Sequence, residues 1–161
     1  MSFAPVYDDR SRALILGTWP SPKSREMAFY YGHPQNRFWP LLAALTGASV
    51  EEVTGRGGGL TDRGFETKKR VLRQALALHH PDPGNPVAVL AAVGGLDIAA
   101  MTGLFLGCAH EGLAAAVDGY ISIVAALCAV RLCPRVRDVL FLSHASYEIG
   151  YRLAARELGL E

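Results

Sequence analysis

An α/β fold is predicted, with a small, incomplete parallel sheet of about three strands flanked by helices. Two observations lead there. Short apolar runs closed by turn residues alternate with longer stretches of helical spacing, the pattern of strand–helix–strand units. The chain has 161 residues, half of them hydrophobic, so it is long enough to bury one real core. No internal repeat interrupts that order.

The first strand is expected at Arg12–Trp19, "RALILGTW", an apolar run closed by Gly17 and Pro20. Residues 22–35 read as a loop. Pro34 and Pro40 bracket "QNRFW" and discourage a long helix before Pro40. "PLLAALTG" then suits a helix with Pro40 in its first turn and Gly47 at its stop. "SVEEV" begins a short helix capped by Ser49.

"GRGGG", residues 55–59, is a glycine turn, and Thr61 or Asp62 can cap a long helix running to about His80. "HHPDPGNP" is a loop. Helices follow over 86–93 and 95–109, parted by Gly94-Gly95. "LAAAVDG", 113–119, fits a short buried strand ending in a turn. "YISIVAALCAVRLC" is an apolar helix stopped by Pro134. "DVLFLSH", 138–144, is the clearest strand of the second half, and a last helix covers about 146–158. Three strands make a small sheet for this Rossmann-like arrangement.

Composition excludes several classes. A net charge of +1 is too small to mark a nucleic-acid protein by itself. No apolar run reaches the ~20 residues of a membrane span, and "MSFAPVYDDRSR" lacks a signal-peptide core. Cys108, Cys128 and Cys133 are odd in number and form no C-x-x-C pair, so they read as reduced, mostly buried thiols of a cytoplasmic protein. Neither a metal nor a cofactor is expected.

The richest stretch is "GTWPSPKSREMAFYYGHPQNRFWPLLAALTG". A strand running into Gly17-Thr18-Trp19-Pro20-Ser21 places backbone amides at a strand's carboxyl end, where α/β proteins bind ligands. Tyr30, Tyr31 and Phe38 can stack on a base, Asn36 can hold a water, and Lys23, Arg25 and Arg37 can meet phosphates. An aromatic satellite core with a satisfied loop asparagine explains the same residues. Residues 5–45 resemble the start of the DNA-deoxyinosine (hypoxanthine) glycosylases of the uracil-DNA glycosylase superfamily. That resemblance implies that Gly17, Pro20 and Ser21 belong to the base-pocket motif. It makes Asn36 catalytic, positioning the attacking water, with Tyr31 and His33 lining the pocket. The superfamily's second motif, a Ser/Pro-rich loop that grips DNA, is not found; "LSHASYEIG" is a poor substitute.

From about Leu42 onward the chain is similar to the nicotinate-nucleotide–dimethylbenzimidazole phosphoribosyltransferases. "VGGLDIAAM", "VDGYIS" and "AALCAVRLCP" are the telling phrases. From the residues alone, Gly57 and Gly59 can form an anion nest ahead of a helix N-terminus, and Lys68 can reach back as a charge partner. A plain surface turn is the reading that the residues alone favour. Asp118, after a strand, can bind ribose hydroxyls or cap the next helix, and Ser143 sits at a strand's carboxyl end. The resemblance places Gly57, Gly59, Lys68, Asp118, Gly119 and Ser143 in a nucleotide phosphate and ribose site.

Departures accompany the match. The family usually carries threonine at Gly58, and its "SHRSAEPGH" stands here as "SHASYEIGY", with Ala145, Tyr147, Ile149 and Tyr151 replacing arginine, alanine, proline and histidine. The family's catalytic glutamate segment and an earlier Gly-Glu-Met-Gly-Ile-Gly-Asn segment are not found. Glu148 and Glu157 are expected to be solvated helix glutamates.

The expectation is therefore a junction of residues 1–45, glycosylase-like, with 46–161, transferase-like, packed as one unit. The likeness implies a phosphoribosyltransferase fragment, inactive alone, that takes nicotinate mononucleotide or a related nucleotide. The alternative is a glycosylase fragment, and DNA is a partner only there. No membrane partner is expected. Interrupted sheet edges make a homo-oligomer possible.

Overall fold

The computed structural model describes residues 37–55, 61–144, 146 and 148–160. The strand expected at Arg12–Trp19 lies outside these residues. So do Gly17, Pro20, Ser21, Tyr31, His33, Asn36, Gly57 and Gly59.

The described chain runs α1 (Phe38–Thr46), α2 (Val50–Val53), α3 (Asp62–His79), α4 (Pro86–Val93), α5 (Leu96–Glu111), β1 (Ala115–Val117), α6 (Tyr120–Leu132), a 3₁₀ segment (Pro134–Val139), β2 (Leu140–Leu142) and α7 (Ile149–Leu158). Among the described residues the sheet is two parallel strands, with Ala115 opposite Leu140, Ala116 opposite Phe141 and Val117 opposite Leu142.

Local chemistry accounts for the helix ends. Gly47 closes α1 in the left-handed region at φ 69°, where a Cβ would be strained. Ser49 and Glu52 form a reciprocal capping box on α2. Thr61 caps α3 by accepting from the Gly64 amide at 3.2 Å. Asn85 caps α4 ahead of Pro86.

Several boundaries differ from the sequence reading. α1 starts at Phe38, ahead of Pro40, because a proline three residues into a helix lacks only an amide that has no intrahelical acceptor. The expected strand 138–144 narrows to Leu140–Leu142, since Pro134 at the start of the 3₁₀ segment winds the chain tightly through Val139. The strand expected over 113–119 narrows likewise to Ala115–Val117. α7 starts at Ile149 because Glu148 is extended, at φ −65° and ψ 127°.

The core is organised around α6. Tyr120, Ile123 and Val124 and then every residue from Ala125 to Ala129 are buried, so this helix is apolar all round and serves as an axle. α5 and α7 pack against it, and α1 lies across α2, α4 and α6. Phe38 is buried too, with its ring 4.2 Å from Trp39 and 4.5 Å from Tyr120. That corrects its reading as a base-stacking residue: its ring faces are spent on the core. α3 is the opposite kind of helix. Of its 18 residues only Leu72 is buried, and Glu66–Lys69 and Glu51–Arg73 pairs dress its surface.

Cys128 is buried, and its burial pushes the thiol up to about 12. Cys108 and Cys133 are half-buried and free. The described residues hold no group of three metal-ligating side chains and no helix long and apolar enough to cross a membrane.

Candidate functional site

Two polar clusters stand at one end of the molecule. The first lies at the carboxyl ends of the parallel strands. β1 delivers Asp118 and β2 delivers Ser143, and the Ser143 amide extends the ladder by donating to Val117 O at 3.0 Å. Ser143 Oγ donates to Asp118 Oδ1 at 3.2 Å and lies 2.9 Å from His144 Nδ1, which is itself 3.6 Å from Asp118 Oδ1. Tyr151 holds His144 from behind, its hydroxyl donating to the His144 carbonyl at 2.9 Å. Burial, then the Asp118 charge, raise the Tyr151 phenol above its ordinary value. Asp118 and His144 expose 71% and 54% of their side chains, so a ligand has free access. The carboxylate, hydroxyl and imidazole offer the acceptors and donors that a sugar diol needs.

Gly119 contributes differently from the sequence reading. Its amide donates to Ser122 Oγ at 2.9 Å, and the Asp118 amide donates to the same oxygen at 3.1 Å. Ser122 thus satisfies the entrance to α6, and these two amides are not open to an anion.

The second cluster surrounds Lys68. This side chain leaves α3, crosses the Trp39 ring at 3.2 Å and donates to the Gly55 carbonyl at 2.9 Å. Lys68 was expected to reach back to a phosphate as a charge partner; among the described residues its ammonium is seated on the Gly55 carbonyl. Burial pulls its ammonium down to about 8, against the upward pull of Glu148.

Glu148 corrects an expectation. It is half-buried ahead of α7, not a solvated residue on the helix face. A Cβ built on Gly55 would come within 2.5 Å of Glu148 Oε2, so the carboxylate occupies space that only glycine leaves. The reason is tertiary: α7 packs its first turn on α2, which brings residue 148 against residues 53–55. Glu157, by contrast, pairs at the surface with Arg131 at 2.8 Å.

Tyr120 and Gly150 complete the cluster. Tyr120 Oη donates to Val53 O at 2.6 Å, and a Cβ on Gly150 would fall on that hydroxyl and lie 2.7 Å from Val53 O. Burial, then Glu148, raise the Tyr120 phenol. Among the described residues, Trp39 Nε1 and Thr54 Oγ1 are buried without a hydrogen-bond partner, and both belong to residues of this cluster.

Sequence reasoning missed Tyr120, Gly150, Trp39 and His144. One signal was available: "EIGY" places a glycine between two bulky residues at a helix start, which points to close approach.

Beside the strand ends, an open groove of about 870 Å³ runs between β2 and α7, lined in part by Phe141, His144, Tyr151 and Arg152. His144 belongs to both the groove and the strand-end cluster.

A family model described as phosphoribosyltransferase matches residues 40–161, so residues 5–39 of the glycosylase resemblance lie outside it. The nicotinate-nucleotide–dimethylbenzimidazole phosphoribosyltransferase of Clostridium perfringens is 46% identical over 121 residues, 75% of this chain and 34% of the relative. The protein of that name from Geobacter sulfurreducens is 48% identical over 119 residues, 74% of this chain and again 34% of the relative. The crystal structure of CobT from Thermus thermophilus superposes with a TM-score of 0.73 at 36% identity, over 80% of this chain and 38% of that one. The chain therefore spans about a third of the length of the curated relatives it matches. The match takes in every described element from α2 to α7 and both polar clusters apart from Trp39, and the chain belongs to the phosphoribosyltransferase family.

Proposed function

We propose that this chain carries the nucleotide-holding part of a phosphoribosyltransferase. The full reaction transfers phosphoribosyl from nicotinate mononucleotide to 5,6-dimethylbenzimidazole and releases nicotinate, in cobalamin lower-ligand synthesis. The observation that carries this reading is the meeting of Asp118 and Ser143 at 3.2 Å, at the ends of adjacent parallel strands inside the family match. Asp118 and Ser143 hold the ribose hydroxyls. Lys68, with Gly57 and Gly59, meets the phosphate. Gly119 contributes backbone shape alone.

By itself the 161-residue chain binds without transferring, because the glutamate-bearing segments that the family uses for catalysis are not among its residues. Losing a catalytic base typically costs about 10² to 10⁴ in rate. Calorimetry with nicotinate mononucleotide tests the binding. Asp118→Ala is expected to weaken it about tenfold, the size of one hydrogen bond to a charged group. Equal affinity in wild type and Asp118→Ala overturns the ribose assignment, and α-ribazole phosphate formed by the purified chain overturns the non-catalytic one.

A further inference from the structure

The carboxylate whose charge acts on Lys68, that of Glu148, has no role in the binding site as outlined. Glu148 stands at the N-terminal boundary of α7, where a helix dipole favours negative charge. Its carboxylate makes no hydrogen bond to the helix amides there. It turns instead toward Gly55, whose missing side chain leaves room for Oε2 and whose carbonyl accepts from Lys68.

Among the described residues, the other groups around Lys68 supply no second counter-charge. α1 and α4 carry no titratable side chain. On α2, Glu51 is engaged by Arg73 and Glu52 by Ser49. On α3, the neighbouring Lys69 pairs with Glu66. α6 presents Tyr120, a phenol kept neutral by burial.

We propose that Glu148 is a positioning residue for Lys68: its carboxylate, seated against Gly55, keeps the ammonium charged and in place before an anion arrives. The anion then takes over as counter-charge. This inference rests on the assignment of Lys68 to the phosphate site for its purpose, but not for its first test.

The first measurement needs no ligand. The titration of Lys68 is followed by NMR of ¹³C-lysine-labelled full chain, with Lys68→Arg assigning the resonance. In wild type the midpoint is expected near 8. In Glu148→Gln it is expected to fall by about half a unit, so the charged fraction at pH 8 drops from about half to about a quarter. Glu148→Asp, which keeps the charge, is expected to restore most of the shift, and it carries the measurement should the Gln variant fail to fold. An unchanged midpoint in Glu148→Gln, or an Asp variant no closer to wild type than Gln, overturns the proposal.

The second measurement is the affinity for inorganic phosphate from pH 6 to 10. Affinity is expected to decline as Lys68 loses its proton, and the decline is expected to begin at lower pH in Glu148→Gln. A purely structural role would weaken binding at every pH without moving that limb, and that result also overturns the proposal. If the Lys68 midpoint moves but no form binds phosphate, the phosphate site fails while the positioning role stands.

Discussion

The strand-end cluster and the Lys68 cluster sit at one end of the fold, and they are held in opposite ways. Asp118, Ser143 and His144 are exposed, and two parallel strands bring them together with the local help of Ser122 and Tyr151. Lys68, Tyr120, Glu148 and the backbone of Val53 and Gly55 come from α3, α6, the start of α7 and the end of α2. The first cluster offers ligand groups to solvent at little cost to the fold. The second takes two charges and a phenol partly out of water, and its energetics are tied to stability.

The largest expected effect tests whether the second cluster is as tight as its geometry indicates. Gly150→Ala pushes a methyl group onto the Tyr120 hydroxyl and against Val53 O. A loss of about 1–3 kcal/mol in urea unfolding is expected, the usual cost of overpacking. A variant as stable as wild type would mean that α7 and α6 are held apart elsewhere.

Next comes Tyr120→Phe, which removes the donor to the buried Val53 carbonyl at 2.6 Å. Leaving that acceptor unpaired is expected to cost about 1–2 kcal/mol by the same measurement.

A pH experiment separates the clusters by charge. Lys68 titrates near 8 in the fold but near its ordinary value in the unfolded chain, so the unfolded state binds more protons between those limits. Stability is therefore expected to rise with pH from about 8. The rise is limited near pH 10, where the unfolded chain begins to lose its tyrosine protons while the Tyr120 phenol, raised in the fold, keeps its own. Lys68→Met is expected to flatten this rise, as followed by melting temperature across the range. A rise of the same slope in the variant would place its origin in another group.

The smallest effect belongs to the first cluster. Ser143→Ala, at an exposed site, is expected to change stability by less than about 0.5 kcal/mol, well below Gly150→Ala. A loss as large as that of Gly150→Ala would dissolve the contrast between the regions.

The two clusters were not equally legible in the sequence. Asp118 and Ser143 could be found because each ends a short apolar run, and parallel strands present their carboxyl ends to one side. The helix cap at Ser49 and the stop at Gly47 follow from local hydrogen bonding and left-handed backbone, which a few neighbouring residues decide. Glu148 was misplaced because its helical surroundings resemble those of any surface glutamate. Nothing within several residues of it indicates that Gly55 leaves a space for its carboxylate. The role of Phe38 was likewise hidden, since a ring spent on Trp39 and Tyr120 looks, in sequence, like one free to stack on a base.

Sequence alone determined the order of the described elements, the apolar axle of α6 and the polar residues that follow each described strand, because periodicity and capping act over a few residues. Tertiary structure decided which polar groups meet. Val53 and Tyr120 stand 67 positions apart in the chain, and only the packing of α7 on α2 and α6 sets the distances that give Lys68 and Tyr120 their altered chemistry. Electrostatic effects depend on separation and burial, and neither is written in the spacing of residues along the chain.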